Sequence, residues 1–444
     1  MKSKGLAGFR DFYAGEIDLR NTIFASWREV ARRYGFQEYD GPPLEPLDLY
    51  TRKSGVEIVD QLYNFIDKGD RQVALRPEMT PTLARMVTAR ATELKKPIRW
   101  FAIPQLFRYE RQQRGRLREH FQLNMDIIGE SGPMADSEII GAALDIVRLL
   151  GMTSSDIKVR LSDRRVIQAL LLAGGVLEEQ LPTVYRAVDK LEREDRGKLL
   201  KDLLSAGLDG DTAARALETG ALRGLDAVAA AVSAVNRDGA ADGLSQCIEY
   251  LTAMGFADFI EVDLSIVRGL DYYTGVVFEL FDAGRSLRAI CGGGRYDGLL
   301  NELGGVDLPA VGFGMGDVVL GELLKDRGWT SDSASGLDAF LVAVTGEDVP
   351  TVLSLAHAMR ERGISVEYAL RRQAIGKQLK IADARSAATA LIVGPDERAA
   401  GLAVVRELKT GTERKVPFEQ VVEIFPDGGE AIVRAMRSEA SGEV

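Results

Sequence analysis

The sequence predicts an α+β core built on an antiparallel sheet, carrying a helical insertion and followed by a separate α/β domain. Three observations lead there. In the first, Phe121, Leu123, Met125 and Ile127 alternate with His120, Gln122, Asn124 and Asp126, the period-two pattern of a half-buried strand. Ile103 to Glu110 reads as a partner strand across an Arg- and Gln-rich turn around Gly115, which makes an antiparallel hairpin. In the second, residues 166–255 change composition: Ala, Leu, Glu, Lys and Asp dominate and β-branched runs vanish. In the third, a polar Gly/Ser-rich run gives way to alternating strand and helix patterns, AFLVAV, SVEYAL, ALIVG and AVVREL, the signature of an α/β unit with a mostly parallel sheet. The expected division is 1–325 for the core, with the insertion at about 166–255, then 326–337 for a linker and 338–444 for the second domain.

Composition narrows the class. With 444 residues, 46% apolar and 27% charged, the chain has the make-up of an ordinary soluble globular protein of two or three domains. Met1 to Phe12 holds no apolar leader segment and no apolar run reaches spanning length, so a cytoplasmic protein without a membrane segment is expected. The two cysteines, Cys247 and Cys291, are too few for a disulfide framework or a Cys-based zinc site, and no resident metal is expected. Two histidines, His120 and His357, argue against catalysis by a His dyad or triad. A net charge of −10 means that nucleic-acid contact would rest on local basic patches.

In chain order, Ile23, Phe24, Trp27, Val30, Ala31 and Tyr34 form one apolar stripe, so Ile17 to Tyr34 is a helix, stopped by Gly35. Phe36 to Pro46 gives a short strand closed by a double proline. Val73 to Arg76 is a strand running into a helix, with Thr80 as the expected N-cap and Pro81 at the first helical position. Glu78 sits between them, where a pocket mouth can form. A helix over Pro133 to Leu150 and a strand over Ile157 to Leu161 precede the insertion, in which Ala187 to Leu204 reads as one helix. Strand alternation returns from Phe259 to Ile266, followed by RGLDYYTG, VVFELF and the Gly-rich RAICGGGRYDGLL. Gly292 to Gly294 is no P-loop, because no GK[ST] follows; three glycines there mean close backbone packing or room for a ligand. GFGMGDVVLGELL is a glycine-spaced strand leading into a helix, and its spacing is not that of a dinucleotide fingerprint.

Chemistry concentrates in a few places. Five arginines lie between positions 108 and 118, a density that suits polyphosphate because guanidinium forks match phosphate oxygens in pairs. Arg268, followed by Tyr272 and Tyr273, offers a fixed cation and a planar, hydrogen-bonding wall. Arg371, Arg372, Lys377 and Lys380 put four cations into ten positions of an otherwise acidic chain, either a solvated helix face or a binding patch.

These stretches resemble those of a known family. Arg108 to Gly129 resembles motif 2 of the class II aminoacyl-tRNA synthetases in the form found in histidyl-tRNA synthetases, and Ile17 to Pro46 resembles motif 1, which in the family builds a homodimer interface. LRPEMT is similar to the element whose carboxylate and hydroxyl receive the α-ammonium of histidine, and RGLDYYTG to the histidine-binding signature of that family. Arg371 to Ala384 is similar to an element of class IIa anticodon-binding domains. The resemblance implies ATP with Mg2+, L-histidine and tRNA(His) as substrates and partners, and formation of an adenylate followed by transfer to the tRNA 3′ end. Residue by residue, it implies Arg108 and Arg268 as catalytic cations at the α-phosphate. Glu78, Thr80, Gln122, Asp126, Tyr272 and Tyr273 are implied for histidine, with Asp126 and Tyr273 on the imidazole. Arg108, Glu110 and Arg116 are implied for ATP, and Arg371, Arg372, Lys377 and Lys380 for tRNA.

Two departures stand out. The arginine that motif 3 carries on its helix is replaced by Val319, and the motif 2 loop lacks a proline common in bacterial members. An alternative reading is a non-charging, histidine-sensing regulatory subunit of ATP phosphoribosyltransferase, and a third a tRNA-binding module without catalysis. The first lacks an anticodon domain and the second the pocket carboxylates, and this chain has the residues of both.

Overall fold

The computed structural model describes residues 5–14, 16–54, 56–110, 115, 117–237, 239–267, 272–284, 287–328 and 337–425. The chain divides into two compact units, Met1–Thr330 and Ser331–Val444. The first begins with α1 (Ile17–Arg33), β1 (Gln37–Glu38), β2 (Leu44–Pro46), α2 (Asp48–Ser54), β3 (Asn64–Ile66), β4 (Gln72–Leu75) and α3 (Thr80–Ala89). Then come β5 (Ile98–Ala102), β6 (Gln105–Phe107), β7 (Glu119–Ile128), α4 (Pro133–Leu149) and β8 (Ile157–Asp163). The insertion supplies α5 (Arg164–Ala173), α6 (Leu181–Val188), α7 (Arg196–Ser205), α8 (Gly210–Gly220), α9 (Leu225–Ala234) and α10 (Asp242–Ala253). The unit closes with β9 (Ile260–Val262), β10 (Val276–Asp282), β11 (Cys291–Arg295), α11 (Leu299–Gly304), β12 (Ala310–Gly316) and α12 (Asp317–Asp326).

Among the described residues the central sheet has nine strands in the order β1-β5-β7-β12-β11-β10-β8-β9, with β6 paired to the other end of β7. Only the outer pairs β1–β5 and β8–β9 are parallel; the ladders between are antiparallel, as expected of the core. One face packs on α1 and α4. Ile23, Trp27, Val30 and Ala31 of α1 and Ile139, Ile140, Ala143 and Val147 of α4 share a core with Leu123, Met125 and Ile127, the odd residues of β7. The α1 stripe therefore buries as the periodicity predicts, and Gly35 takes the left-handed φ of +71° past its end. Burial of a large apolar side chain contributes on the order of 1.5–3 kcal/mol, so this face holds the sheet flat against its helices.

Arg295 pins the rim. It is buried, its guanidinium forks onto Asp136 of α4 (3.0 and 2.8 Å), and it donates to the Glu130 and Gly132 carbonyls (2.9 and 3.1 Å). A buried charge survives only when paired and fully hydrogen-bonded, and here both conditions hold.

Several expected boundaries move, each for a local reason. The strand expected over Ile103 to Glu110 is β6 alone. Arg108 N still donates to Arg118 O (2.9 Å), but Tyr109 N turns away to Gln61 O (2.9 Å), so Arg108 and Glu110 lie outside the ladder. The expected Phe259 to Ile266 strand ends at Val262, because Asp263 Oδ1 accepts from Ser265 N (2.9 Å) and Ser265 Oγ (2.7 Å) and turns the chain. The Ala187 to Leu204 helix is split between α6 and α7, since Asp195 takes Lys198 N (3.1 Å) and caps a new helix. Thr80 is the first residue of α3, not its cap: Met79 occupies that position and no side chain caps it. The expected half-buried strand at β7 is buried on both faces from Leu123 onward.

The second unit runs β13 (Ala339–Ala343), α13 (Val349–Glu361), β14 (Val366–Tyr368), α14 (Ile375–Ala384), β15 (Thr389–Val393), α15 (Pro395–Ala400), β16 (Leu402–Glu407) and β17 (Glu413–Pro417). Its sheet, β14-β13-β15-β16-β17, is mixed rather than mostly parallel. Two ladders are parallel and two antiparallel. A short helix and a tight turn after β15 and β16 are enough to reverse the chain, whereas parallel pairing needs a longer crossover.

Candidate active site

The sequence alternation of β7 builds the site. Its odd residues fill the core, so its even residues, His120, Gln122, Asn124 and Asp126, face the opposite side of the sheet. That side holds two cavities. The smaller, about 470 Å³, is lined by Glu78, Thr80, Arg108, Glu110, Gln122, Asn124, Asp126, Tyr272, Tyr273 and Tyr296 among others. The larger, about 1100 Å³, is lined by Arg108, His120, Gln122, Glu279, Val319 and the basic residues Arg160, Arg193 and Arg288 among others. Arg108, Gln122, Glu279, Gly292 and Gly314 line both, so the two are adjoining compartments of one cleft.

The glycines of β12 and β11 make the room. Gly312 stands opposite Asp126 in the β12–β7 ladder. A Cβ on it would overlap Asp126 Oδ1 and lie 2.7 Å from Met125 O. A Cβ on Gly314 would overlap the Gln122 amide nitrogen and lie 2.8 Å from its Cδ. A Cβ on Gly294 would lie 2.7 Å from Val276 O, 2.8 Å from Val277 Cγ1 and 2.9 Å from Tyr273 Cδ1. The glycine spacing of GFGMG and the GGG of β11 are thus a floor over which polar side chains lie.

Hydrogen bonds fix those side chains. Gln122 Nε2 donates to Asn124 Oδ1 (3.1 Å), while its Oε1 lies 3.4 Å from His120 Nε2. Burial, with the charge of Arg108 nearby, lowers the His120 pKa to about 4, so its imidazole is neutral at neutral pH. Asp126 accepts from the Tyr296 hydroxyl. Burial raises the pKa of Asp126 to about 7, against which the Tyr296 hydrogen bond works. Arg108 Nε donates to Pro77 O (3.0 Å), which anchors it to the loop that carries Glu78. The same loop is held by buried Arg76, which reaches Asp40 and the Gly41 carbonyl (both 2.8 Å) and the Gln105 carbonyl (3.0 Å).

At the far end of the row, Arg10 forks onto buried Glu119 (2.6 and 3.3 Å) and reaches Asp317 (2.8 Å). Asp317 also accepts Phe121 N (2.9 Å). The start of β7 is thereby tied to the start of α12.

The structure gathers Glu78, Thr80, Arg108, Glu110, Gln122, Asp126, Tyr272 and Tyr273 at one cavity. Glu110 lines only the smaller compartment, away from the arginine-lined one. Arg268 and Arg116 lie outside the described residues. Arg371 and Arg372, and Lys377 and Lys380 on α14, are exposed in the second unit. The resemblance puts Asp126 and Tyr273 on the imidazole, and both line this cavity; Asp126 also accepts from Tyr296, against which Tyr272 packs edge-on (ring centroids 5.7 Å). The signal was available: Gly292 and Gly294 of β11, paired with the cleft-lining Gly314 and Gly312, are followed at the same spacing by Tyr296 just past the strand. No signal in the sequence marks Arg10, whose partners are more than a hundred residues away.

Among the described residues no group of three or more His, Cys, Asp or Glu side chains is arranged to hold a metal ion, and no helix is long and apolar enough to cross a membrane. The cleft therefore combines an amino-acid-sized, acidic and aromatic compartment with a basic one large enough for a nucleotide.

The histidyl-tRNA synthetase family model matches residues 8–316, and an anticodon binding domain model matches residues 338–427. A histidine–tRNA ligase of Opitutus terrae is 44% identical over 96% of this chain and 98% of its own length. The chloroplastic/mitochondrial histidine–tRNA ligase of Arabidopsis thaliana is 39% identical over 93% of this chain and 85% of its own. The crystal structure of histidyl-tRNA synthetase from Nostoc sp. PCC 7120 superposes with a TM-score of 0.83 at 23% identity, covering 96% of this chain and 99% of that one. With the matched family spanning the strands that build the cleft and its glycine floor, the chain belongs to the histidyl-tRNA synthetases.

Proposed function

We propose that the chain activates histidine with ATP to histidyl-adenylate and transfers it to the 3′ end of tRNA(His). One observation carries the reading. A single strand, β7, presents Gln122 and Asp126 to a compartment shared with Glu78, Thr80, Tyr272 and Tyr273, while Arg108 stands at its opening into an arginine-lined cavity. Histidine enters the smaller compartment. Glu78, Thr80 and Gln122 receive its ammonium, and Asp126, held by Tyr296, receives an imidazole N–H, with Tyr273 as the aromatic wall. Amino acids that cannot donate to Asp126 leave a buried carboxyl without the donor that the imidazole supplies, which is the physical source of selectivity.

The histidine carboxylate attacks the α-phosphorus of ATP; the new P–O bond forms as pyrophosphate leaves in line. A carboxylate is already ionised, so no protein base is needed, and the neutral His120 is not asked to act as one. Catalysis is then positioning and charge stabilisation, for which Arg108 is placed where the compartments meet, with Arg268 as its partner in the family motif. Glu279, which lines both compartments, would be the carboxylate available to an Mg2+ ion brought in with the nucleotide, and such an ion would supply neutralisation of phosphate charge. The exposed cations Arg371, Arg372, Lys377 and Lys380 contact the tRNA anticodon stem-loop, and a second copy of the chain completes a homodimer. A regulatory subunit without an anticodon domain is not favoured, since the second unit matches that domain. Pyrophosphate exchange dependent on histidine tests the reading, and exchange driven equally by threonine, proline or glycine would refute it.

A further inference from the structure

We propose that Arg288, on the connection between β10 and β11, supplies to the ATP polyphosphate the charge that the family places on its motif 3 helix; this rests on the larger compartment being the nucleotide site. Val319, at the family's arginine position, points an apolar side chain into that compartment and packs into the main core, 9% exposed. A polyanion bound there still needs a cation on that side.

Among the described residues, the other arginines that line this compartment are placed otherwise. Arg160 is buried and already grips Glu192 through two bonds (2.8 and 2.7 Å) and lies 3.3 Å from Asp263. Arg108 is tied to Pro77 O (3.0 Å), and Arg193 stands on the α6–α7 connection rather than on the sheet.

Arg288 and the missing position lie just beyond the same end of one ladder. The β11–β12 pairing runs to Cys291 with Met315, with Arg288 shortly before it on one chain segment and Val319 in the first turn of α12 on the other. Leu287, Arg288, Ala289 and Ile290 on one side and Gly316, Val318 and Val319 on the other all line the same cavity. Arg288 is exposed, so its long side chain can be drawn onto a phosphate without unpacking a core.

The test is ATP–pyrophosphate exchange by the full chain with ATP and histidine varied separately. Removing one charge-assisted bond should raise the KM for ATP by roughly 10- to 100-fold in Arg288→Ala, with the KM for histidine within about twofold. Arg288→Lys should recover part of the loss, because a point charge still binds phosphate without the fork. In the Arg288→Ala background, Val319→Arg should restore at least part of the ATP affinity, which a merely structural role for Arg288 would not allow. An unchanged KM for ATP in Arg288→Ala would overturn the proposal. So would a parallel rise in both KM values, or a lysine variant no better than alanine. A wild-type chain with no histidine-dependent exchange would overturn the functional reading itself, a different outcome from any of these.

Discussion

Substituting Gly314 by alanine separates the fold from the amino-acid site. The three atoms nearest to an added Cβ all belong to the Gln122 side chain, with Cδ at 2.8 Å and Cγ at 3.5 Å. The side chain is flexible, so the strand need not move; the amide swings aside and gives up its bond to Asn124 Oδ1. Losing one neutral hydrogen bond costs about 0.5–1.5 kcal/mol, and replacing a strand glycine by alanine returns roughly 0.5–1 kcal/mol, so stability should change little. The site should suffer more. An acceptor aimed at an ammonium group is worth about 1.5–3 kcal/mol, which is roughly a 10- to 150-fold rise in the KM for histidine. Exchange kinetics with histidine and ATP varied in turn, beside a urea melt, measure both quantities. Gln122→Ala should give a similar rise, and the double variant should be far from additive because both changes remove the same contact. Gly312→Ala makes the contrast: its Cβ would sit 2.7 Å from the Met125 carbonyl as well as on Asp126, so backbone must yield and about 1–3 kcal/mol of stability should go. If Gly314→Ala left the KM for histidine within twofold, or raised both KM values while lowering stability, Gln122 would not hold the ammonium group.

On the proposed reading, Asp126 should make the histidine step pH-dependent. With its pKa raised to about 7, kcat/KM for histidine should climb as pH rises through that value, and Asp126→Asn should lose the climb while keeping the ionisation of the substrate's own imidazole near 6.5. The stability effect has the opposite sign. Folding favours the neutral carboxyl, so its contribution is full below pH 3.8 and is lost as pH rises to about 7; Asp126→Asn should therefore gain on the wild type in urea melts at high pH and not at low pH. For the second unit, a chain ending before Asp338 should form adenylate at a rate close to that of the full chain and charge tRNA far more weakly. Unimpaired charging by it would contradict the anticodon-binding role.

Much of the site was legible because it is carried by short periodic patterns. The alternation at 120–127 told which residues of β7 face the cleft, and GFGMG announced a strand stripped of side chains, though not which neighbours fill the space. What failed was local hydrogen-bond competition. Asp263 and Asp195 side chains end a strand and start a helix where apolar periodicity runs on. β17 was missed because ERKVP buries only Val416 and shows no alternation. The Arg10 fork joins residues far apart in sequence, and no local pattern encodes such a meeting.

ATP–pyrophosphate exchange by the full chain, surveyed across the amino acids, tests the central claim most directly. The geometry of Glu78, Gln122, Asp126 and Tyr296 around one small compartment requires strong exchange with histidine and little with any other amino acid. Strong exchange with an amino acid that has no ring N–H for Asp126, or none with histidine, would contradict it.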